Sequence, residues 1–340
     1  MSRQIEQVRN YVFAGFTAKR GNPWWYREGI DNPNNLFTGA IPLAAIENRL
    51  FNFTVEESPV YVMRNGGFVE IPNRKAMMHS VTGDVFGLPT ESYSGHSYRD
   101  WLIGGLSKLV DGQTNFANVG LLNKGAVAFV QIETPDNVTV GGMDVRPFIL
   151  ATTSFDGSVA TTFKTGFTNV VCDNTFGMFM SERSETYKVK HTKNSRFNLT
   201  DARAALNLLT ATAEQATADI ERLLSVDVTD VQWSKFITAH VPTVDDKGAE
   251  LSKRGMTMAT NKREALTGLY RTDVRVAPWA GTAWGVIQAV NTYNQHMSIV
   301  RGGDRLDRVM SKAVEGMIAR ADRATLDTLS TVMGRDLATV

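Results

Sequence analysis

The stretch from residue 154 to 174, SFDGSVATTFKTGFTNVVCDN, decides the fold class. Asp156-Gly157 is a strong hairpin signal, because glycine takes a positive φ without a Cβ clash and an Asp side chain bonds its own backbone two residues on. Val159, Thr161, Thr162, Phe163 and Thr165 are β-branched or aromatic and suit a pleated strand. Two antiparallel strands therefore meet at this turn. Beyond it, VVCDNT (170–175) runs into Phe176, Met178, Phe179 and Met180. Asp173, Asn174 or Thr175 can cap a helix there by accepting from an orphan backbone amide, so a helix is expected.

Working outward, residues 3–14 carry Ile5, Val8, Tyr11 and Val12 at helical spacing. Gly21, Pro23, Gly29 and Pro33 break the following segment. A helix is expected over 42–50. Strands are expected over 51–55 and 60–64, the latter turning at Asn65-Gly66-Gly67 and returning over 68–71. A helix over 98–110 keeps Trp101, Leu102, Leu106 and Leu109 in phase, with Ser97 as its cap. Strands follow at 116–122, 126–133, 145–153 and 158–165. Residues 135–142 read as a polar loop, and 187–192 as an alternating strand.

From there the pattern is helical: a long helix over 201–225, a second from Thr229 to about Ala239, then 261–271, 282–299, 304–323 and a short closing helix over 323–332. Residues 243–260 are polar and glycine-containing and read as a mobile segment. Runs of strands followed by runs of helices predict an α+β protein, with an antiparallel β-rich N-terminal half, an embedded helix and a mainly α-helical C-terminal half. The expected divisions are an irregular N-terminal arm (1–35), an α+β core domain (36–200) and a helical region (201–340).

Six blocks carry a family resemblance: KAMMHSVTGDVFGLPTESY (75–93), GLLNKGAVAFVQIE (120–133), TSFDGSVAT (153–161), VVCDNT (170–175), KVKHT (188–192) and DARAALNL (201–208). With TAWGVIQAVNTYNQH (282–296), they resemble the phage/plasmid-like proteins catalogued as domain of unknown function 932. The likeness extends from about Pro23 onward. Where members of that family often carry a Trp-His-Gly-Leu-Gly-like stretch, this chain has Pro23-Trp24-Trp25-Tyr26. The resemblance implies a phage, prophage or plasmid origin and supplies no activity.

The chain has 340 residues, 43% hydrophobic and 21% charged, with a formal net charge of +1. That is apolar enough for a substantial core and gives no global pull toward nucleic acid or membrane. The single Cys172 excludes an intrachain disulfide and a structural zinc site, and in Val-Val-Cys it reads as a small buried residue. No apolar run approaches the roughly 18 residues of a membrane span, and the N-terminus lacks an apolar signal core. The host cell cytoplasm is the expected location.

No P-loop, HExxH or GxSxG pattern is present. His79, His96, His191, His240 and His296 share no metal-ligand spacing, and the turn carboxylates Asp84, Asp144, Asp156 and Asp173 read as backbone-bonding groups. The chain is therefore read as non-enzymatic, with no metal and no cofactor. His191 is the histidine to watch, because the resemblance falls on it.

Local charge is more informative. Between Arg183 and Arg203, Arg183, Lys188, Lys190, Lys193, Arg196 and Arg203 face only Glu185 and Asp201. Strand alternation places Lys188, Lys190 and Thr192 on one face, with Tyr187, Val189 and His191 on the other. A row of lysines on a strand can track a phosphate backbone, although lysine also guards edge strands against aggregation. A second basic segment holds Lys253, Arg254, Lys262, Arg263, Arg271 and Arg275. Lys19, Arg20, Trp24, Trp25, Tyr26 and Arg27 interleave cations with aromatic rings, as stacking platforms for unpaired bases do.

The expected nucleic-acid-binding residues are Lys188, Lys190, Lys193, Arg196, Arg203, Lys253, Arg254, Lys262 and Arg263. The expected partner is single-stranded DNA, bound by a homo-oligomer acting in recombination or replication. The element order resembles the core of single-strand-annealing recombinases, which form rings or filaments. The alternative is a factor that binds a phage or host protein. A third reading, chemistry around Cys172, Asp173 and His191, is selected by no spacing.

Overall fold

The computed structural model describes residues 11–15, 33–109, 115–133, 138–140, 143–169, 175–177, 186–206, 209–245, 247–298 and 317–337. The Cys172 segment, Arg183, the Lys19–Arg27 cluster, most of the expected 304–323 helix and most of residues 1–35 lie outside them.

The Asp156-Gly157 turn forms as read, with Gly157 at φ 78°. It joins β8 (Met143–Ser154) to β9 (Thr161–Asn169) in antiparallel register, Ala151 opposite Phe163 and Thr152 opposite Thr162. Around this pair the described residues form a sheet of eight strands. Its order is β1 (Val12–Ala14), β5 (Phe116–Leu122), β6 (Val127–Glu133), β8, β9 and β10 (Thr175–Gly177). β7 (Val138–Val140) adds to β8, and β11 (Thr186–Val189) adds to β9.

Three expectations change here. Val12–Ala14, read as the end of a helix, is a fully buried edge strand. Val138–Val140, read as loop, pairs with Met143–Val145. Thr175–Gly177, expected to enter a helix, pairs instead with Gly166–Thr168. Short β-branched and aromatic runs follow an available sheet edge rather than their local helical spacing.

β6 is buried along its whole length, and its alternate residues feed two clusters. Ala128, Val130 and Ile132 face one that includes Phe13, Ile46, Leu102, Leu106 and Phe163. Val127 and Phe129 face the other, with Val12, Phe148 and Leu150. The first cluster is roofed by α1 (Leu43–Arg49) and by a π-turn, Tyr98–Ile103, that continues into α2 (Gly104–Leu109). Ser97 caps this helix by accepting from the Asp100 amide at 3.3 Å.

A second sheet of three strands carries β2 (Val55–Arg64), β3 (Gly67–His79) and β4 (Val85–Gly87) in that order. Its hairpin turns at Asn65-Gly66, both at positive φ, with Arg64 opposite Gly67.

The helical half comprises α3 (Leu199–Leu206), α4 (Leu209–Leu224), α5 (Asp230–His240), α6 (Lys253–Thr272), α7 (Ala283–Thr292) and α8 (Met317–Met333). Every residue of α7 is buried, so this helix is the axis of a separate core with Trp233, Phe236, Leu266, Tyr270, Leu326 and Leu329. Thr229 and Gln232 form the capping box that starts α5. The expected 261–271 helix begins eight residues earlier, because Ser252 accepts from the Gly255 amide and nucleates it at Lys253. Asp245 organises the turn before it, accepting the amides of Lys247 and Ala249 at 2.9 Å each. The segment read as mobile is thus a capped turn and two turns of helix.

Gly285 and Gly268 make opposite predictions. A Cβ on Gly285 would sit 2.1 Å from the Trp279 carbonyl oxygen, whereas one on Gly268 meets nothing within 4 Å. Gly285→Ala is expected to lower the unfolding midpoint, and Gly268→Ala to add about 0.5–1 kcal/mol by relieving helix-interior glycine entropy. Thermal unfolding of the two variants checks both signs.

Asp322 is buried in the same core, where Asn291 Nδ2 donates to it at 2.9 Å. Burial pushes its carboxyl up to about 8 despite that bond. The folded state therefore holds a proton that the unfolded chain has released above about pH 4, and stability contributed by this site falls as pH rises from about 4 to 8. Asp322→Asn should be more stable than the wild type at pH 8, and the gain should shrink toward pH 4 in chemical denaturation.

Candidate functional site

The quoted motifs meet in space. Thr153, beside the turn on β8, and Thr161, at the start of β9, bring their hydroxyls to 2.7 Å. β11 lies alongside with Val189 opposite Thr161, and the chain then turns His191 inward. His191 Nε2 accepts the Thr161 amide at 3.1 Å and also lies 3.1 Å from both threonine hydroxyls. Since Nε2 accepts, the ring proton is on Nδ1, which faces the Tyr93 hydroxyl. Tyr93 in turn donates to the Ser154 carbonyl at 2.6 Å. Every polar atom of His191 and Tyr93 is thereby satisfied.

His96 joins from the loop before the π-turn. Its Nδ1 lies 2.6 Å from the Thr161 hydroxyl, and its ring stacks on Trp101 at 3.6 Å. His96 Nε2 is buried with no hydrogen-bond partner among the described residues. His96 and His191 are 3% and 9% exposed. Burial, with the charge of His191 second, lowers His96 to about 4, and burial, opposed by Asp156, lowers His191 to about 4. Both rings are neutral at physiological pH. The cluster offers no accessible nucleophile and works as a clamp, fixing β11 and the 93–96 loop to the β8–β9 hairpin.

The clamp sets which side chains reach solvent. With Val189 and His191 inward, Lys188, Lys190 and Thr192 are exposed, as the alternation predicted, although the strand itself ends at Val189; Lys193 and Arg196 are exposed in the segment beyond it. One cation that the sequence reading missed, Lys164, shares the side of Lys188. Lys188 is opposite Thr162 and Lys164 opposite Thr186, so Lys188 and Lys164 are diagonal neighbours on one sheet face. Burial, and then the charges of Lys188 and Arg320, lower Lys164 to about 8. Period-2 spacing gives Lys164 its face, but only the β9–β11 register shows that Lys188 shares it.

The other expected site residues divide. Lys253 and Arg254 are exposed on the first turn of α6. Arg203 is half-buried and donates to the Lys108 carbonyl at 3.1 Å. Arg263 is committed to the Val241 carbonyl through Nε and Nη2, at 2.9 and 2.6 Å. Lys262 is half-buried with its ammonium 5.6 Å from the Tyr293 ring, and burial lowers its pKa. Arg203, Lys262 and Arg263 thus serve packing. The strand that carries Lys188 packs on one hydrophobic cluster and α6 on another.

A half-open cavity of about 600 Å³ lies at the base of the β2–β3 hairpin, walled by Phe53, Tyr98 and Phe155 with Arg99, Asp100 and Ser97 at its polar side. Among the described residues no three His, Cys, Asp or Glu side chains are grouped to hold a metal, and no helix is long and apolar enough to cross a membrane.

These elements define an α+β protein whose hairpin, edge strand and histidine loop are locked by one polar cluster. A model of the family described as domain of unknown function (DUF932) matches residues 85–320, most of the chain, and the chain belongs to that family. No curated protein and no solved structure matches it.

Tyr93→Phe would leave the His191 Nδ1 proton buried without an acceptor and should cost about 1–3 kcal/mol. The pH dependence has the opposite sign to that of Asp322. The unfolded histidines take up protons below about 6.5 while the folded ones resist to about 4, so this contribution is full above 6.5 and lost as pH falls toward 4. Urea denaturation at pH 7, 5.5 and 4.5 should show a shallower decline for His191→Gln than for the wild type.

Proposed function

We propose that this chain is a phage-type single-stranded DNA-binding or annealing protein, non-enzymatic, acting in recombination or replication in the host cell cytoplasm. The observation that carries this reading is the set of exposed cations Lys188, Lys190, Lys193 and Arg196, at the end of β11 and in the segment that follows it, with Lys164 beside Lys188 on the sheet face. A rigid row of cations holds a flexible phosphate backbone at little ordering cost to the protein. Bases left outward would remain free to meet a complementary strand, and no nucleotide cofactor is required. The phage or plasmid origin that the quoted motifs imply suits such a role.

The alternative, a factor that binds a phage or host protein, draws on the exposed apolar side chains of the β2–β3 hairpin. Large exposed apolar patches mark protein contacts more often than nucleic-acid ones.

Fluorescence anisotropy with a labelled single-stranded oligonucleotide separates the two. Salt-dependent binding is expected, with a log–log slope of about −0.7 per phosphate contacted. Lys188→Glu/Lys190→Glu should weaken binding by at least about tenfold and flatten that slope, with unchanged thermal unfolding. Absence of binding by the wild type at low salt, or wild-type affinity in the double variant, would remove the proposal.

A further inference from the structure

The far end of the β2–β3 hairpin is a two-stranded ribbon with apolar side chains on both faces. A register shift after Pro59 offsets it from the base of the sheet, and Asn73 at φ 59° takes up the offset on the return strand. Beyond the shift, Tyr61 is opposite Glu70, Val62 opposite Val69 and Met63 opposite Phe68. One face therefore carries Tyr61, Met63 and Phe68, which are 53%, 71% and 76% exposed, with Glu70 beside Tyr61. The other carries Val62 and Val69, both about half exposed.

β2 is the terminal strand of its sheet, and β4 pairs with β3 only at Met77 and Met78. Among the described residues the ribbon has no third strand. Such a ribbon is marginal in water, and an apolar open edge is a template for another strand.

We propose that the outer edge of β2 pairs antiparallel with the same edge of a second copy of this chain, about a two-fold axis at Val62. The window open to pairing is the five residues Val60–Arg64. Pro59, which has no N–H, closes one end, and the Asn65-Gly66 turn closes the other.

Turned onto itself, that window sets Val62 against Val62 of the second copy, Tyr61 against Met63 and Val60 against Arg64. No like charges meet. Tyr–Met pairs, with Phe68 beside them, cover one face and valines the other, giving a four-stranded sheet. An interface that repeats the same surface on both copies closes by two-fold symmetry. The tip offers one cation, Arg64, and one acid, Glu70, so it presents no net charge to a phosphate backbone. This inference stands apart from the nucleic-acid reading.

Cysteine cross-linking in the full-length chain carrying Cys172→Ser tests the register. Directly opposed residues of antiparallel strands lie about 4.5–5.5 Å apart at Cα, within disulfide reach. Val62→Cys should yield a covalent dimer on mild oxidation. Val60→Cys alone should not, whereas a mixture of Val60→Cys and Arg64→Cys chains should. In sedimentation, Val62→Lys should weaken self-association by roughly a hundredfold, since two buried valines become opposed cations, with thermal unfolding unchanged.

A wild type that stays monomeric at all concentrations would overturn the proposal, as would equal cross-linking at positions 60 and 62. Hydrogen-exchange protection of residues 61–64 that appears only with added oligonucleotide would assign the ribbon to nucleic acid instead and overturn it equally. Oligonucleotide binding by Val62→Lys, measured separately, reports on the nucleic-acid reading alone.

Discussion

The hydrogen bond from the Thr161 amide to His191 Nε2 is the constraint on which the candidate site rests. It fixes the ring proton on Nδ1, which sends that proton to Tyr93 and Tyr93 to the Ser154 carbonyl. A buried polar group left unpaired costs more than a typical bond contributes, so this chain of partners is specified as a unit. Slipping β11 by one residue would put His191 outside and Lys190 inside, exposing the imidazole and burying an ammonium. Ionic orientation at the surface is thereby enforced from below.

The basic surface gains from this arrangement what a flexible tail lacks. Lys188 and Lys190 leave a strand whose register is locked, while Lys164 comes from β9 to the same side as Lys188 and Arg320 of α8 acts on Lys164. Burial first, and then the nearby charges of Lys188 and Arg320, make Lys164 give up its proton more readily. The ribbon shows the complementary situation: its side chains are apolar and its edge open, so its unmet demand is for strand and apolar cover.

Much of the first half was legible because period-2 alternation and turn chemistry agree there. Asp156-Gly157 and Asn65-Gly66 both turn as read, and the helix opened by Ser97 starts at its cap. The failures have a common cause. Val12–Ala14, Val138–Val140 and Thr175–Gly177 are three-residue strands, too short to carry a period, and each exists because a neighbouring strand offers an edge. The opposite error at Lys253–Thr260 came from polar composition, although Ser252 held a usable cap signal. In the candidate site, the outward lysines and inward His191 followed from alternation. The retirement of Arg203 and Arg263 to backbone carbonyls did not, since those carbonyls lie 95 and 22 residues away.

By itself the sequence determined the α+β class, the central hairpin, the facing of Lys188 and Lys190, and the absence of a second cysteine for an intrachain disulfide. These are properties of spacing, turn residues and counts, which act over a few neighbours. Tertiary structure alone decided that Thr153, Thr161, His191, Tyr93 and His96 form one buried cluster, that Lys164 joins the face of Lys188, and that no described residue covers the apolar side chains of the β2–β3 ribbon. Each depends on strand register and on contacts between distant segments, and register is set by the burial of the whole sheet rather than by any local run of residues.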